Sequence, residues 1–230
     1  MMITVSAHRS ILCIASFALA ALFGAGVSHA SVVVSSPVLP PSTGGYVSPA
    51  NVHTCFDLGG ADSLCLSQGN HFGFTNVIES FDALGQHESF DSMFTALATQ
   101  MPGAMVTPVA MQGQVQVDVL GRFSSVELGT FDTEMVALNL VGGGAMVRES
   151  PTRASTGRTT ITDIGGGEYR IDSFFDIFTE LSLDGGQNWI PSRDSTHVDL
   201  VGLPEPATLA LIGFGLAGIG LSRRKTRQQG

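Results

Sequence analysis

The sequence predicts an all-β domain of antiparallel strands, arranged as in a β-sandwich. Apolar and polar residues alternate in several stretches, which is the pattern of a strand with one buried face. Glycine triplets at 142–144 and 165–167 separate such stretches, as turns between strands do. Helical spacing of apolar residues is evident in one body segment, 91–100. Together these features favour two packed antiparallel sheets.

The first 30 residues have the architecture of a secretory signal peptide. A weakly basic start precedes the apolar run 11–27, and Ser28 and Ala30 place small residues at positions −3 and −1 of a cleavage site. Signal peptidase is therefore expected to cut between Ala30 and Ser31. The alternative interpretation is an uncleaved N-terminal anchor.

Residues 31–203 form the predicted extracellular domain, long enough for one sizeable core. This span contains 19 acidic side chains, 6 arginines and no lysine, which gives a net charge of −13. Such a charge repels nucleic acids and anionic membrane surfaces, so nucleic-acid binding is excluded as a function. A divalent cation bridged by loop carboxylates stays open, although no loop has the spacing of a known calcium motif.

Two cysteines, Cys55 and Cys65, lie in this domain, because Cys13 belongs to the predicted signal peptide. In an oxidising compartment the expected state is a disulfide, worth roughly 2–3 kcal/mol for so short a loop. An alternative is a metal site that adds His53 and His71 as ligands, but the spacing matches no familiar zinc pattern. No metal and no cofactor are predicted.

The strands are predicted from alternation and from β-branched runs. Val115, Val117 and Val119 alternate with polar residues, and from Tyr169 onward the apolar residues fall mainly on odd positions. The predicted strands, in chain order, are 32–34, 70–78, 115–119, 123–128, 135–141, 159–164 and 169–183.

The segment from Ser182 to Trp189 resembles the Asp-box, S-x-D-x-G-x-x-W, found in sialidases and other propellers. The resemblance implies a structural β-hairpin in which the Asp side chain accepts bonds from turn amides and Trp189 packs in the core. Alternatively, Trp189 stacks on sugars. With Tyr169, Phe174 and Phe178 it would then form a carbohydrate-binding surface, and burial of all four rings would contradict this.

The search for a catalytic site finds no established motif. The four histidines of the domain have no metal spacing, and there is no nucleophile or phosphate-binding signature. The carboxylate pairs Asp172/Asp176 and Glu127/Asp132 have the chemistry of a glycosidase, and 159–162 is one isolated threonine-rich strand of the kind used in ice binding. Neither signal is specific, so the chain is predicted not to be an enzyme.

The C-terminal segment 204–227 has three parts in fixed order. Pro204, Glu205 and Pro206 precede an uncharged apolar run, 207–221, which is predicted to form one transmembrane helix. As a helix this run spans roughly 22 Å, short against a ~30 Å hydrocarbon core, so flanking arginines must snorkel or the bilayer must thin. The basic cluster Arg223, Arg224, Lys225 and Arg227 acts as a membrane stop signal on the cytoplasmic side.

This order resembles the PEP-CTERM sorting signal of Gram-negative bacteria, a tail also catalogued as an ice-binding-protein C-terminus. The resemblance implies recognition of Pro204, Glu205 and Pro206 by an exosortase, a membrane enzyme thought to process proteins bound for the envelope or the exopolysaccharide matrix. The predicted partners are therefore exosortase, signal peptidase, the inner membrane before processing and an exopolysaccharide. The predicted function is a structural or interaction role at the cell surface, with a carbohydrate-binding module of the envelope or biofilm matrix as the alternative.

Overall fold

The computed structural model describes residues 31–202, which contain thirteen β-strands and no helix. The predicted signal peptide, which ends at Ala30, lies outside the described residues. The predicted helix 207–221 lies outside them as well. Within residues 31–202, no helix is long and apolar enough to cross a membrane. The strands are β1 (Ser31–Val34), β2 (Gly45–Val47), β3 (His53–Gly59), β4 (Asp62–Phe81), β5 (Gly85–Met101), β6 (Met105–Leu120), β7 (Gly129–Gly142), β8 (Ala145–Glu149), β9 (Ser155–Gly165), β10 (Glu168–Ile177), β11 (Thr179–Ser182), β12 (Ile190–Pro191) and β13 (Thr196–Val201).

Eight strands close into an antiparallel barrel in the order β2, β4, β5, β6, β7, β9, β10 and β13, with β13 pairing back to β2. The all-β class and the antiparallel pairing are thus confirmed. The sandwich-like arrangement was wrong, because one sheet curls until its edges meet instead of splitting into two layers. Closure satisfies the backbone groups that open sheet edges would expose.

Several strands change neighbours along their length. One edge of β10 pairs with β9, while the opposite edge pairs first with β1 and then with β13. Ser31 lies opposite Asp172, and Asp199 lies opposite Phe174, on that same edge. The end of β13 therefore meets the start of β1, so the first and last described strands meet at one place on the barrel.

The long strands bend at β-bulges. The pairing of β4 with β5 shifts register three times, and the bulged stretches contain left-handed residues, including Gln68 (φ 53°) and Asn76 (φ 52°). A bulge bends its strand and increases the local twist, which lets a 20-residue strand follow the curved wall.

Three predicted elements were wrong. The single strand predicted for 169–183 is two strands, β10 and β11, which pair with different neighbours. The segment 91–100 is not a helix but part of β5, paired with β4 on one side and β6 on the other. The segment 123–128 is not a strand but a loop between β6 and β7. Hydrogen bonding on both edges overrides the local helical spacing of Met93, Phe94 and Leu97.

The core fills the barrel interior. Val115, Val117 and Val119 are all buried, which confirms the alternation predicted for β6. In β10 the residues Ile171, Ser173, Phe175 and Ile177 point inward, with polar residues between them.

Candidate functional site

A cavity of about 80 Å³ lies inside the barrel. Most of its wall is apolar and comes from strands around the whole circumference. Among the residues that line it are Phe74, Phe90, Phe94, Val117, Met135, Leu138 and Val198. A barrel of eight strands is just wide enough to be filled by its own side chains or to hold one small ligand.

Hydroxyl groups form a chain along one part of this interior. The Tyr46 hydroxyl donates to Oγ of Ser173 over 2.9 Å, and Ser173 Oγ lies 2.8 Å from Oγ1 of Thr159. Burial raises the pKa of the Tyr46 phenol far above its usual value, with the nearby Glu88 charge adding to the shift. Tyr46 therefore stays protonated and acts as a hydrogen-bond donor.

Glu88 places a carboxyl group in the cavity wall, although only 5% of the residue is exposed. Nε2 of Gln86 donates to Oε1 of Glu88 and to Oε2 of Glu79, both over 2.9 Å. Burial raises the pKa of Glu88 to about 8, while the Arg122 charge opposes the shift and the Glu79 charge adds to it. Glu88 is therefore mostly a neutral acid at pH 7 when the cavity holds no ligand.

Arg122 closes the wall next to Gln86 and is itself fully buried. Its guanidinium donates to Oε1 of Gln86 and to three backbone carbonyls, those of Pro37 (2.9 Å), Ser125 (2.6 Å) and Glu127 (3.3 Å). These bonds tie the segment after β1 and the loop after β6 to β5. None of the bonds recorded for this side chain in residues 31–202 reaches Glu88.

His71 is the interior histidine. Its Nε2 lies 2.6 Å from Oγ of Ser92, and Phe74 and Phe94 meet the imidazole edge-on with ring centroids 6.2 and 6.0 Å away. Burial lowers the pKa of His71 to about 4, so the ring is neutral at physiological pH. It adds a polar contact to the wall without adding charge.

Two hydroxyls in the cavity wall lack partners. Oγ1 of Thr133 and Oγ1 of Thr179 are buried and have no hydrogen-bond partner within residues 31–202. The two residues are 2% and 7% exposed. A buried hydroxyl without a partner costs free energy, so both atoms are available for a bound molecule.

The predicted disulfide and metal residues separate in the structure. Cys55 and Cys65 lie opposite each other in the β3–β4 hairpin and are bonded, with Cα atoms 4.1 Å apart. His53 is exposed on β3, whereas His71 points into the barrel, so they do not join the sulfur atoms in one site. Across residues 31–202, no three His, Cys, Asp or Glu side chains converge as a metal site would require.

The Asp-box-like segment forms a compact turn at the end of β11. Asp184 accepts bonds from the backbone amides of Gln187 (3.0 Å) and Asn188 (2.9 Å) and from the Ser182 hydroxyl (2.8 Å). The bonds from Asn188, backbone and side chain, lower the pKa of Asp184 to about 2. Trp189 donates its indole N–H to the Gly186 carbonyl over 3.0 Å. Its ring is half-buried and not in the core, which corrects that part of the prediction.

The four aromatic residues proposed for sugar stacking are all half-buried. The Arg148 guanidinium lies 4.1 Å from the Trp189 ring centre, and that of Arg153 lies 4.4 Å from the Phe178 ring centre. Phe174 packs against the His197 ring, with centroids 5.5 Å apart. Tyr169 faces the core side of β10, so the four rings do not share one surface.

The carboxylate pairs considered for hydrolysis do not line the cavity. Asp176 contacts His197 Nδ1 over 2.9 Å, Asp132 pairs with Arg158, and Glu127 accepts the Phe123 amide in the loop after β6. Sequence reasoning missed the interior residues Gln86 and Glu88. The sequence did contain one indication. Gln86 and Glu88 are four and two residues before Phe90, so they lie on the same face of β5 as this buried residue.

Comparison with known proteins identifies the tail alone. A family model described as the PEP-CTERM protein-sorting motif matches residues 203–225. No curated protein matches the chain, and no solved structure matches it. The chain therefore carries a PEP-CTERM sorting motif directly after the last described strand, which confirms the resemblance seen in the sequence.

Proposed function

We propose that this chain, which carries a PEP-CTERM sorting motif, is a protein of the envelope or the exopolysaccharide matrix, with an interaction role and no catalytic activity of its own. The motif indicates exosortase-dependent sorting of an exported protein, and exosortase is the processing partner that it implies. The observation that carries the proposal is the position of the motif, which begins at residue 203, two residues after β13 ends at Val201.

In the proposed pathway, signal peptidase releases Ser31, the apolar run 207–221 holds the precursor in the inner membrane, and exosortase acts near Pro204–Pro206. The meeting of β1 and β13 fits this scheme, because Ser31 and the end of β13 lie at the same place on the barrel. The remaining surface is left free to face the envelope or matrix. The disulfide in the β3–β4 hairpin suits an oxidising compartment.

The experiment is the intact mass of the mature protein from its native host, measured separately for envelope and medium. The expected species begins at Ser31 and ends near Pro206. The variant Glu205→Ala should accumulate with residues 207–230 attached, while the control Glu168→Ala, at the exposed start of β10, should be processed normally. If wild-type protein keeps residues 207–230 in the envelope, the tail is a plain anchor and the proposal is wrong.

A carbohydrate-binding role is the second candidate, favoured by the partly exposed rings of Trp189 and Phe178 and the arginines beside them. The ring face opposite the guanidinium would stack on a sugar while the guanidinium groups bind its hydroxyls. Host exopolysaccharide should then quench Trp189 fluorescence in wild-type protein and bind less well to Arg148→Ala. Unchanged fluorescence at saturating polysaccharide would remove this candidate.

A further inference from the structure

In the part of the chain that the structure describes, the barrel interior holds one acid, Glu88, without a bonded cation, in a cavity whose wall is mostly apolar. Gln86 is the side chain that donates to the Glu88 carboxyl within residues 31–202, and it reaches only Oε1. The buried cation nearby, Arg122, directs its bonds to Gln86 and to three backbone carbonyls. A buried carboxyl without a bonded cation is costly to ionise, and a cation that entered the cavity would remove that cost.

A second, independent feature is the unpartnered hydroxyl of Thr133. Its Oγ1 is buried, lines the same cavity as Glu88 and has no hydrogen-bond partner in the described part of the chain. This oxygen can accept a bond from a ligand. The cavity wall thus presents two acceptor groups, one on Glu88 and one on Thr133, to a bound hydrogen-bond donor.

The rest of the cavity also suits a cation with an apolar body. Aromatic rings of Phe74, Phe90 and Phe94 lie in the wall, and ring faces attract cations. The excess of carboxylates over arginines gives the exported domain a negative field that raises the local concentration of cations. An anionic ligand would meet repulsion from this negative field.

We propose that the barrel binds a small aliphatic primary amine, with its ammonium group against Glu88 and its hydrocarbon chain among the apolar side chains. The cavity volume of about 80 Å³ sets the size. An engineered cavity of about 150 Å³ holds benzene, so a chain of about four carbons is the appropriate probe. This site is separate from the proposed sorting function and does not depend on it.

Binding has a defined proton balance. Glu88 is protonated in the empty barrel and ionises when it pairs with an ammonium ion, so one proton is released to the buffer. The titratable and charged groups around Glu88 and its cavity are Glu79 and His71 on β4, Tyr46 on β2 and Arg122 in the loop after β6. Tyr46 stays neutral and Arg122 charged, so Glu88 is the source of the proton. Affinity should accordingly rise with pH up to about 8.

The experiment is calorimetric titration of the purified protein with n-butylamine, 1-butanol and butyrate at pH 7. Butylamine should bind at least about tenfold more tightly than butanol, as a charge-assisted hydrogen bond requires, and butyrate should not bind. Titration in two buffers of different ionisation enthalpy should show proton release with the amine only. Equal affinity for amine and butanol, absence of proton release, or no binding of any probe would overturn the proposal.

Variants locate the site. Glu88→Gln should weaken amine binding about tenfold or more and leave butanol within about twofold, whereas the exposed control Glu168→Gln should change neither. Thr133→Val removes the unpartnered hydroxyl with little change of shape and should weaken amine binding severalfold, which keeps the test valid if Glu88→Gln does not fold. Equal amine binding by all three variants would place the ligand elsewhere and contradict the proposal.

Discussion

Arg122 and Gln86 are both fully buried and share a hydrogen bond from the guanidinium to Oε1 of the amide, inside the wall of the closed barrel. The Nε2 atom of Gln86 in turn donates hydrogen bonds to the carboxyl groups of Glu79 and Glu88. One arginine thereby links a loop, the segment after β1 and the carboxyl that faces the cavity. The hydrogen bonds of this pair therefore connect the segments that pack against the barrel wall with the Glu88 carboxyl inside the barrel.

Replacing Arg122 by Leu should therefore destabilise the protein severely. The change removes the donors to Gln86 and to three carbonyls, and each of these acceptors that stays buried without a donor costs about 1–3 kcal/mol. Chemical denaturation monitored by circular dichroism measures the loss. Arg158→Leu is the control, because Arg158 and its partner Asp132 are both more than half exposed and such pairs contribute little. A similar stability for both variants would show that the Arg122 network is not structural.

Sequence alone could predict the strands with one wet face, but not the closure of the sheet. Alternation in β6 and β10 indicates which side chains are buried, because residues two positions apart lie on the same face of a strand and this pattern is visible in the local sequence. Closure depends on β9 reaching both β7 and β10, and on β13 returning to β2, and no local pattern encodes those pairings. The same limit produced the helix predicted at 91–100, where spacing of Met93, Phe94 and Leu97 fits a helix but pairing on both edges makes a strand.

The interior site was the least predictable part. Gln86 and Glu88 are charged or polar residues on the inward face of β5, and sequence patterns assign such residues to the solvent. The one sequence feature that indicates an inward orientation is their even-numbered spacing from Phe90, which places all three residues on the same face of β5. The tail was the most predictable part, because its three elements are contiguous in sequence and need no folding to be recognised.

Reduction of the Cys55–Cys65 bond should lower the unfolding free energy by about 2–3 kcal/mol, because a short loop is released in the unfolded chain. The bond links facing residues of the β3–β4 hairpin, so the native fold gives up no other contact when it is cut. The double variant Cys55→Ser/Cys65→Ser should match reduced wild-type protein and should not respond to reductant. A response of the double variant, or none from wild-type protein, would contradict this account.

His71 should make stability fall as the solution becomes acidic. In the folded protein its pKa is about 4, whereas the unfolded chain has the ordinary value of 6.5, so only the unfolded state takes up the proton between these values. Stability is full above pH 6.5 and decreases toward pH 4, by up to about 3 kcal/mol. Glu88 has the opposite slope, because its raised pKa favours the folded state at low pH and this contribution is lost as pH rises toward 8.

The measurement is the unfolding free energy of wild-type protein and of His71→Gln at several pH values from 4 to 7. The difference between the two curves cancels the Glu88 contribution and should show the His71 slope alone. His53→Gln is the control, since His53 is exposed and its variant should keep the wild-type slope. A difference curve that stays flat between pH 6.5 and 4 would show that another group takes up the proton.

Asp184 should hold the environment of Trp189, the single tryptophan of the chain. Its carboxylate accepts the amides of Gln187 and Asn188, and the turn so formed places the Gly186 carbonyl 3.0 Å from the indole N–H. Asp184→Ala removes these acceptors, so the turn should open while the barrel stays folded. Trp189 emission should shift to longer wavelength and acrylamide should quench it more strongly.

Because the pKa of Asp184 is lowered to about 2, wild-type emission should stay constant as pH falls to about 3 and change only near that pKa. Asp163→Ala is the matched control, since Asp163 accepts the Gly165 amide in the separate β9–β10 turn. If Asp184→Ala leaves emission and quenching as in Asp163→Ala, the ring is held by Arg148 and not by the turn.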